Sequence, residues 1–413
     1  GSLGNQQIGY YDFIQTITTK GSMSDYSFDG TVLGQHATVS DPVSGDQTWE
    51  KVVSKNLGLD LNMFNNRLSL TTDFYIRDTK GILGKGKSLP SIYGASEPQM
   101  NANNLRTKGY ELVLGWRDSF KLAGSTFSYG ITGTFSDYTA EYTKCDNPTG
   151  LIGDPYVGKK YGEIWGYKVD GLFRNDKEAA EYASRIDLST VASGYYTATG
   201  AYGKGVRGGD IKYLDLNGDN IVNGGKGTLD DPGDRRVIGN SSPRYQYGAS
   251  LNFSWYGFDV SVFMQGIGRL DWYPGADNLR FWGPYCRPYA TFVPKNFMSQ
   301  VWSEENPDAY FPRARAYTSL NSNSGTAYYT NDRYLQNLAY CRLKNLTVGY
   351  TLPRQWTRKA LIGSLRIYFT GENLFTWSGI RSDYIDPEMA ATNGNLRLYP
   401  WQRTYMFGVD VTF

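Results

Sequence analysis

From Tyr405 to Phe413 the sequence alternates without a slip: Tyr405, Phe407, Val409, Val411 and Phe413 hold the odd positions, with Met406, Gly408, Asp410 and Thr412 between them. Successive side chains of an extended strand point to opposite faces, so this segment offers one apolar row and one row that tolerates water. The same period returns upstream. Leu57, Leu59, Leu61 and Met63 alternate with Asn56, Gly58, Asp60 and Asn62, and the chain turns through Phe64-Asn65-Asn66-Arg67. Leu68, Leu70, Thr72, Phe74 and Ile76 then lead back as the second arm of a hairpin. Further rows stand at Tyr110, Leu112, Leu114, Trp116; at Phe127, Tyr129, Ile131, Phe135; at Tyr245, Tyr247, Ala249, Leu251, Phe253, Trp255; and at Phe258, Val260, Val262, Met264. Two more lie around Leu346, Val348, Tyr350 and Leu365, Ile367, Phe369. About nine strands of period two point to an all-β, antiparallel architecture, because a helix needs its apolar residues every third or fourth position.

The connections alternate as well. They are short near 64–66, 117–123, 256–257 and 352–362, and long over 79–102, 139–242, 269–331 and 378–400. Strands of about 9 to 11 residues joined in this way are the pattern of an outer-membrane β-barrel, with short turns in the periplasm and long loops outside. On that phasing the C-terminus lies on the periplasmic side. A mean hydropathy of −0.48 does not oppose it, since only every other residue of such a wall faces lipid. The 34 Tyr, 19 Phe and 10 Trp suit interface girdles. The alternation alone also fits a soluble sandwich, so an extracellular glycan-binding or adhesive β-protein is the second reading. About nine strands is an odd number, whereas a single-chain bacterial barrel has an even number and no open edge in hydrocarbon, so further strands are expected outside this section. Four regions follow: an extracellular loop segment over 1–50, the first barrel strands with one outer loop over 51–138, a long extracellular excursion over 139–242, and the remaining strands and loops over 243–413.

Composition excludes several functions. With 42 basic and 40 acidic residues the net charge is +2, and no basic block forms a track for nucleic acid. Cys145, Cys286 and Cys341 are odd in number and too widely spaced for a zinc cluster or a disulfide framework, although one pair could bridge in an oxidising compartment. His36 stands alone in an expected loop without a nucleophile motif, and no acid/base pair is legible, so no catalytic residue is assigned and the chain reads as no enzyme. No organic cofactor is expected.

Particular strings then acquire a likeness. These are Gly4-Asn5-Gln6; Asn65-Asn66-Arg67-Leu68 with Asp73-Phe74-Tyr75; Tyr161-Gly162-Glu163-Ile164-Trp165-Gly166-Tyr167-Lys168-Val169-Asp170-Gly171-Leu172-Phe173; and Gly209-Asp210-Ile211-Lys212-Tyr213 leading to Asp215-Leu216-Asn217-Gly218-Asp219. Leu343-Lys344-Asn345-Leu346-Thr347-Val348-Gly349-Tyr350-Thr351-Leu352-Pro353, Gly371-Glu372-Asn373-Leu374-Phe375-Thr376 and the terminal Phe413 complete the set. In this order they resemble the SusC/RagA family of TonB-dependent outer-membrane transporters of Bacteroidota. The resemblance implies a plugged barrel of about 22 strands, a TonB-box region, and a SusD-like lid lipoprotein outside. It also implies TonB-driven import of glycans or oligopeptides. The sequence resembles the C-terminal section, with the plug, the TonB box and the first barrel strands expected elsewhere.

Four sets of residues are candidates for function. Asp215, Asn217, Asp219, the Ile221 carbonyl and Asn223 alternate around Gly218 as in the first part of an EF-hand loop, which points to Ca2+. Lys226 replaces the usual twelfth-position Glu, Asp230, Asp231 or Asp234 would have to fold back, and the other reading is a metal-free Asx-rich turn. Trp272 and Tyr273, with Trp282 and Tyr285, have flat faces suited to sugar rings or peptide side chains. Asp259, Arg342, Arg366 and Glu372 are expected to face the lumen or plug. A short helix over Asp176–Ala183, begun at Asn175 or Asp176, is expected inside the long excursion, where the resemblance places the docking of the lid protein.

Overall fold

The structure is a computed structural model that describes residues 15–20, 36–45, 47–85, 92, 94, 97–197, 205–286, 291, 293–315, 327–382, 384–390 and 401–413. Gly4-Asn5-Gln6 lies outside the described residues. Nine strands form one sheet: β1 Lys51–Met63, β2 Leu68–Lys85, β3 Gln99–Leu122, β4 Ser125–Lys144, β5 Arg244–Trp255, β6 Phe258–Arg269, β7 Tyr340–Thr351, β8 Ser364–Ser378 and β9 Thr404–Thr412. Each is hydrogen-bonded to its neighbours in sequence, so the sheet is an antiparallel meander without crossovers.

The short connections are built from left-handed residues. Phe64, Asn65 and Asn66 have φ of 55°, 54° and 63°, and the two-residue turns Ala123-Gly124 and Tyr256-Gly257 have positive φ at both positions, the geometry whose twist matches paired strands. The connection expected over 117–123 therefore shrinks to two residues. Asp118 interrupts the apolar row there, but it pairs with Arg67 at 3.2 Å while the Arg117 amide donates to the Arg67 carbonyl, and pairing continues. The loop expected over 79–102 is likewise narrower, because β2 runs to Lys85 and β3 begins at Gln99. Here Asn side chains replace apolar alternation as the organising signal: the Gly81 amide donates to Asn104 Oδ1 and Asn101 Nδ2 to the Gly81 carbonyl. β4 extends to Lys144, beyond 138.

The chain forms two compact units. One comprises Gly1–Asn56, Tyr75–Lys108 and Thr139–Tyr161. In it Ile17–Lys20 pairs with His36–Val39, so His36 opens a short strand instead of lying in a loop; β-branched residues favour that pairing. Arg106 grips Asp78 with Nε and Nη2, and Lys159 Nζ donates to the carbonyls of Ile152, Gly153 and Asp154, closing the turn at the end of this unit.

The other unit comprises Leu57–Phe74, Gly109–Tyr138 and Gly162–Phe413. It holds a second, globular core built by the long connections, with Phe173, Tyr195, Ile211, Tyr213, Trp282 and Tyr334 at its centre. The expected helix is present as α1, Asp176–Ala183. Asn175 caps it by accepting from the Glu178 amide, Glu178 Oε2 accepts from the Arg174 amide, and Asp176 and Glu178 place negative charge at its N-terminus.

Gly349 sits where the sheet has no room for a side chain. It lies opposite Asp259 on β6 and Tyr368 on β8, and a Cβ there would stand 2.6 Å from Asp259 Oδ1 and from Arg366 Nη2. Gly349→Val should lower stability by about 1–3 kcal/mol through overpacking. Gly133→Val on β4, with no heavy atom within 4 Å of its Cβ position, should not. Thermal unfolding of the two variants side by side checks the contrast.

Candidate functional site

The register of β4 to β9 sorts the side chains into rows. Tyr129, Phe253, Val260, Val348, Phe369 and Phe407 stand opposite one another across six strands, and Ile131, Leu251, Val262 and Leu346 form the next row on the same face. Alternating with them, on the other face, Ser128, Ser254, Asp259, Gly349, Tyr368 and Gly408 are aligned, followed by Gly130, Asn252, Ser261, Thr347 and Thr370. The apolar rows are open to the surroundings: Phe253 is 41% and Phe407 83% exposed. Exposed apolar surface this continuous marks contact with lipid or a partner.

The polar face carries the charges. Arg366 reaches over Gly349 to grip Asp259 with Nη2 at 2.7 Å and Nε at 3.0 Å, and its Nη1 meets Asp410 on β9 at 3.0 Å. Glu372 lies opposite Asn345 and Thr404 on the same face. Arg342 is also there. Uninterrupted alternation from Val348 and Leu346 would send it to the apolar side, but against β6 the register shifts between Leu343 and Asn345, leaving Lys344 as the extra residue of a bulge, and β8 follows with an extra residue of its own between Glu372 and Phe375. Arg342 then pairs with Gln265 and Thr376, so all four residues expected inside share the polar face. Toward the short turns this face opens into a hollow of about 670 Å³ whose lining includes Arg117, Ser128, Asn252, Ser254, Asp259 and Ser261.

The aromatic residues take different parts. Trp282 is fully buried and Tyr285 is 3% exposed. Trp282 Nε1 donates to the carbonyls of Pro274 and Gly275, its ring packs 4.9 Å from Tyr334, and Tyr285 Oη donates to the Pro312 carbonyl. Neither ring offers a face to a ligand in this structure, which corrects the expectation for both. They sit in a Gly- and Pro-rich connection, while the core that buries them is assembled from distant segments. Trp272 and Tyr273 are half-buried against that core, with Tyr273 Oη donating to the Tyr329 carbonyl. Tyrosines do this repeatedly: Tyr182, Tyr329 and Tyr334 donate to the carbonyls of Tyr213, Thr190 and Tyr310.

The turn at Asp215 gathers its expected donors but spends them on the backbone. Asp215 accepts from the amides of Gly218 and Asn220, Asn217 from Asp219, Asp219 from Ile221, and Asn223 from Gly225. Asp234 does fold back, yet it is buried as a brace, accepting from the amides of Leu216 and Asn223. Among the described residues no three carboxylate, His or Cys groups converge as a metal cluster, and the oxygens in view fall short of the six to eight that calcium takes. The donor set fits the Asx-rich turn better than an EF-hand site.

Nearby, sequence reading missed a buried ion pair. Asp210 Oδ2 meets Arg315 Nη2 at 2.6 Å, with 0% and 4% of the side chains exposed, and the Arg315 guanidinium stacks 4.1 Å from the Tyr195 ring centroid. Burial pushes the Asp210 carboxyl up to about 7, against the opposing pull of Arg315. A folded-state value above the unfolded one means stability is complete below the ordinary aspartate range and falls as pH rises towards 7. Unfolding followed across that window should show this slope, and Asp210→Asn should flatten it. Calcium added to the folded protein should leave the unfolding temperature unchanged. A rise abolished by Asp215→Ala with Asp219→Ala would reinstate the metal site.

Comparison with known proteins places this geometry. No family model matches the sequence. Two TonB-dependent receptors of Formosa agariphila are 24% and 27% identical over the whole chain, which covers 38% and 39% of their own length. TonB-dependent receptor SusC of Bacteroides thetaiotaomicron is 21% identical, also over the whole chain and 37% of the receptor. Among solved structures, the RagAB peptide transporter matches 99% of the chain with a TM-score of 0.66 at 20% identity, and the RagAB peptide importer in its open-open state does so with 0.64 at 21%. The chain covers 40% and 39% of those two, so it spans well under half of the proteins it resembles. A likeness running along the entire chain, on a nine-stranded meander with one apolar and one polar face, makes this chain similar to a section of the transmembrane β-barrel of TonB-dependent receptors such as SusC and shows that it shares the fold of the RagAB transporter over that section.

Proposed function

We propose that this chain supplies wall strands and outer loops to a TonB-dependent outer-membrane importer, with the apolar rows against lipid and the polar face toward the passage. The observation that carries the reading is the register itself, which keeps Phe253, Val260, Val348, Phe369 and Phe407 on one side and Ser254, Asp259 and Gly349 on the other. In the described sheet β1 and β9 are each paired on one side only. Hydrocarbon tolerates no open edge, so in the receptor both edges pair with strands outside this chain. The short turns lie in the periplasm with the C-terminus, and the folded long connections lie outside.

On this reading the partners are a SusD-like lipoprotein over the outer connections and TonB acting through another part of the receptor. The cargo is a glycan or an oligopeptide; the neighbour named as a peptide transporter favours the second. The hollow of about 670 Å³ at the short-turn end, lined by serines, Asn252 and the Arg67–Asp118 ion pair, with Tyr129, Phe253 and Val260 at its wall, suits contact with a hydrated or polar segment such as a plug.

The rival is an adhesive β-protein without transport, in which the apolar rows would be covered by protein. Substitution separates the two in the full-length protein. Val260→Arg on the apolar face should impair outer-membrane assembly, since a cation facing lipid costs up to about 2–4 kcal/mol, less toward the interfaces. Ser261→Arg, one residue on and facing the other way, should assemble normally. Equal tolerance of both, in a particle that stays soluble without detergent, would sink the importer reading.

A further inference from the structure

The connection after β8 does not stay outside the sheet. Its segment Ile385–Ala390 lies against the polar face, with Ile385, Pro387 and Ala390 buried on its other side. Asp386 Oδ2 meets Arg342 Nη2 at 2.7 Å, and Glu388 Oε2 meets Arg342 Nη1 at 2.7 Å. Arg342 Nε donates to Thr376 Oγ1 at 2.9 Å, so the guanidinium is gripped along its whole fork, and its side chain is 2% exposed. Lys344 Nζ donates to both Glu388 oxygens at 2.9 and 3.0 Å, and Gln265 Nε2 reaches Glu388 Oε1 at 3.3 Å. Two strands, β6 and β7, thus hold one turn, and Thr376 on β8 positions Arg342 for it. The turn is shaped for it: Asp386 Oδ1 accepts from the Glu388 amide while the Asp386 carbonyl accepts from Ala390.

This cluster differs from the other ion pairs on the same face. Arg366, Asp259 and Asp410 all belong to sheet strands and, among the described residues, pair with one another. Arg342 and Lys344, by contrast, attach a crossing segment, and they can do so because the bulge at Lys344 turns Arg342 inward. The charges balance, two cations against two carboxylates. A buried, balanced ion cluster contributes little net stability compared with an apolar contact, but it fixes geometry, and its members recover hydration when they separate into water. Such a contact is suited to holding a segment in one position and releasing it.

We infer that Ile385–Ala390 is an ion-locked strap across the polar face, and that it must lift from Arg342 and Lys344 before a bulky solute can move along that face. The inference rests on the reading that the polar face lines the passage.

The test uses the full-length receptor in outer membranes, with Cys145, Cys286 and Cys341 replaced by Ser and a reporter introduced by Thr347→Cys, on the short-turn side of Arg342 in the polar row. A small charged maleimide should label the reporter at the same rate with and without Asp386→Asn plus Glu388→Gln. A polyethylene-glycol maleimide should label it on the order of tenfold faster when both carboxylates are neutralised, the change expected from losing charge-assisted hydrogen bonds. Should the double variant lose the heat-modifiable mobility of a folded barrel, Glu388→Gln alone should give a smaller acceleration in the same direction. An unchanged ratio of the two rates in a folded variant overturns the strap, as does an equal acceleration in an Asp259→Asn, Asp410→Asn control. Labelling by a lipid-soluble maleimide alone would overturn the passage reading, and the strap with it.

Discussion

Everything in this protein depends on keeping register across the sheet. With a side-chain period of two, a slip of one residue would exchange the row of Phe253, Val260, Val348 and Phe369 for that of Ser254, Asp259, Gly349 and Tyr368. Turn chemistry and ion pairs hold that register from two directions. Ala123-Gly124 and Tyr256-Gly257 fix adjacent strands through their left-handed backbones, and Arg366 ties β6, β8 and β9 through Asp259 and Asp410. Gly349 is then less a flexible residue than the space through which that ion pair reaches across β7. Departure from strict register is equally local: one extra residue at Lys344 changes which face Arg342 serves.

The long connections answer a different problem. Long segments with little regular structure bring buried carbonyls that no ladder satisfies, and each must find a donor. Tyrosine and tryptophan meet both requirements, burying a large apolar ring while the polar tip reaches a main-chain oxygen. Trp282 at Pro274 and Gly275, Tyr285 at Pro312, Tyr182 at Tyr213 and Tyr329 at Thr190 are repetitions of this device. Much of the aromatic content that suggests girdles or ligand platforms is therefore internal scaffolding of the folded connections.

This explains what was legible in the sequence. The nine strands, their order of short and long connections, and α1 with its Asn175 cap could be read because each is encoded in neighbouring residues. Strand ends could not: past Ile76 and before Tyr110 the strands continue on Asn, Asp and Arg side chains, which carry no alternation. The burial of Trp282, the Asp210 pair with Arg315 and the hold of Arg342 on Glu388 join positions 46 to 105 residues apart or depend on a core assembled from several segments. No local pattern announces them. The Asp215 motif fails for the opposite reason, since alternating Asp and Asn specify an Asx turn and a cation loop with the same residues.

The two faces also make the energetics of the chain depend on its solvent. β1 is exposed at every position and β9 at all but two, although both carry full apolar rows, whereas the long connections bury a core of ordinary kind. In water the rows of Leu57, Leu59 and Leu61, and of Phe407, Val409 and Val411, would carry an unfavourable hydration cost of about 25 cal/mol for each Å² of apolar surface. Against lipid the same surface carries none of that cost. Backbone groups at the two edges make the opposite demand, since hydrocarbon cannot satisfy them and another strand can. The apolar rows thus select the membrane and the open edges select neighbouring strands, while the folded connections are stable on terms that need neither. A wall whose stability comes from outside itself and a cap whose stability is internal can tolerate different mechanical loads, and the strap at Arg342 joins the two.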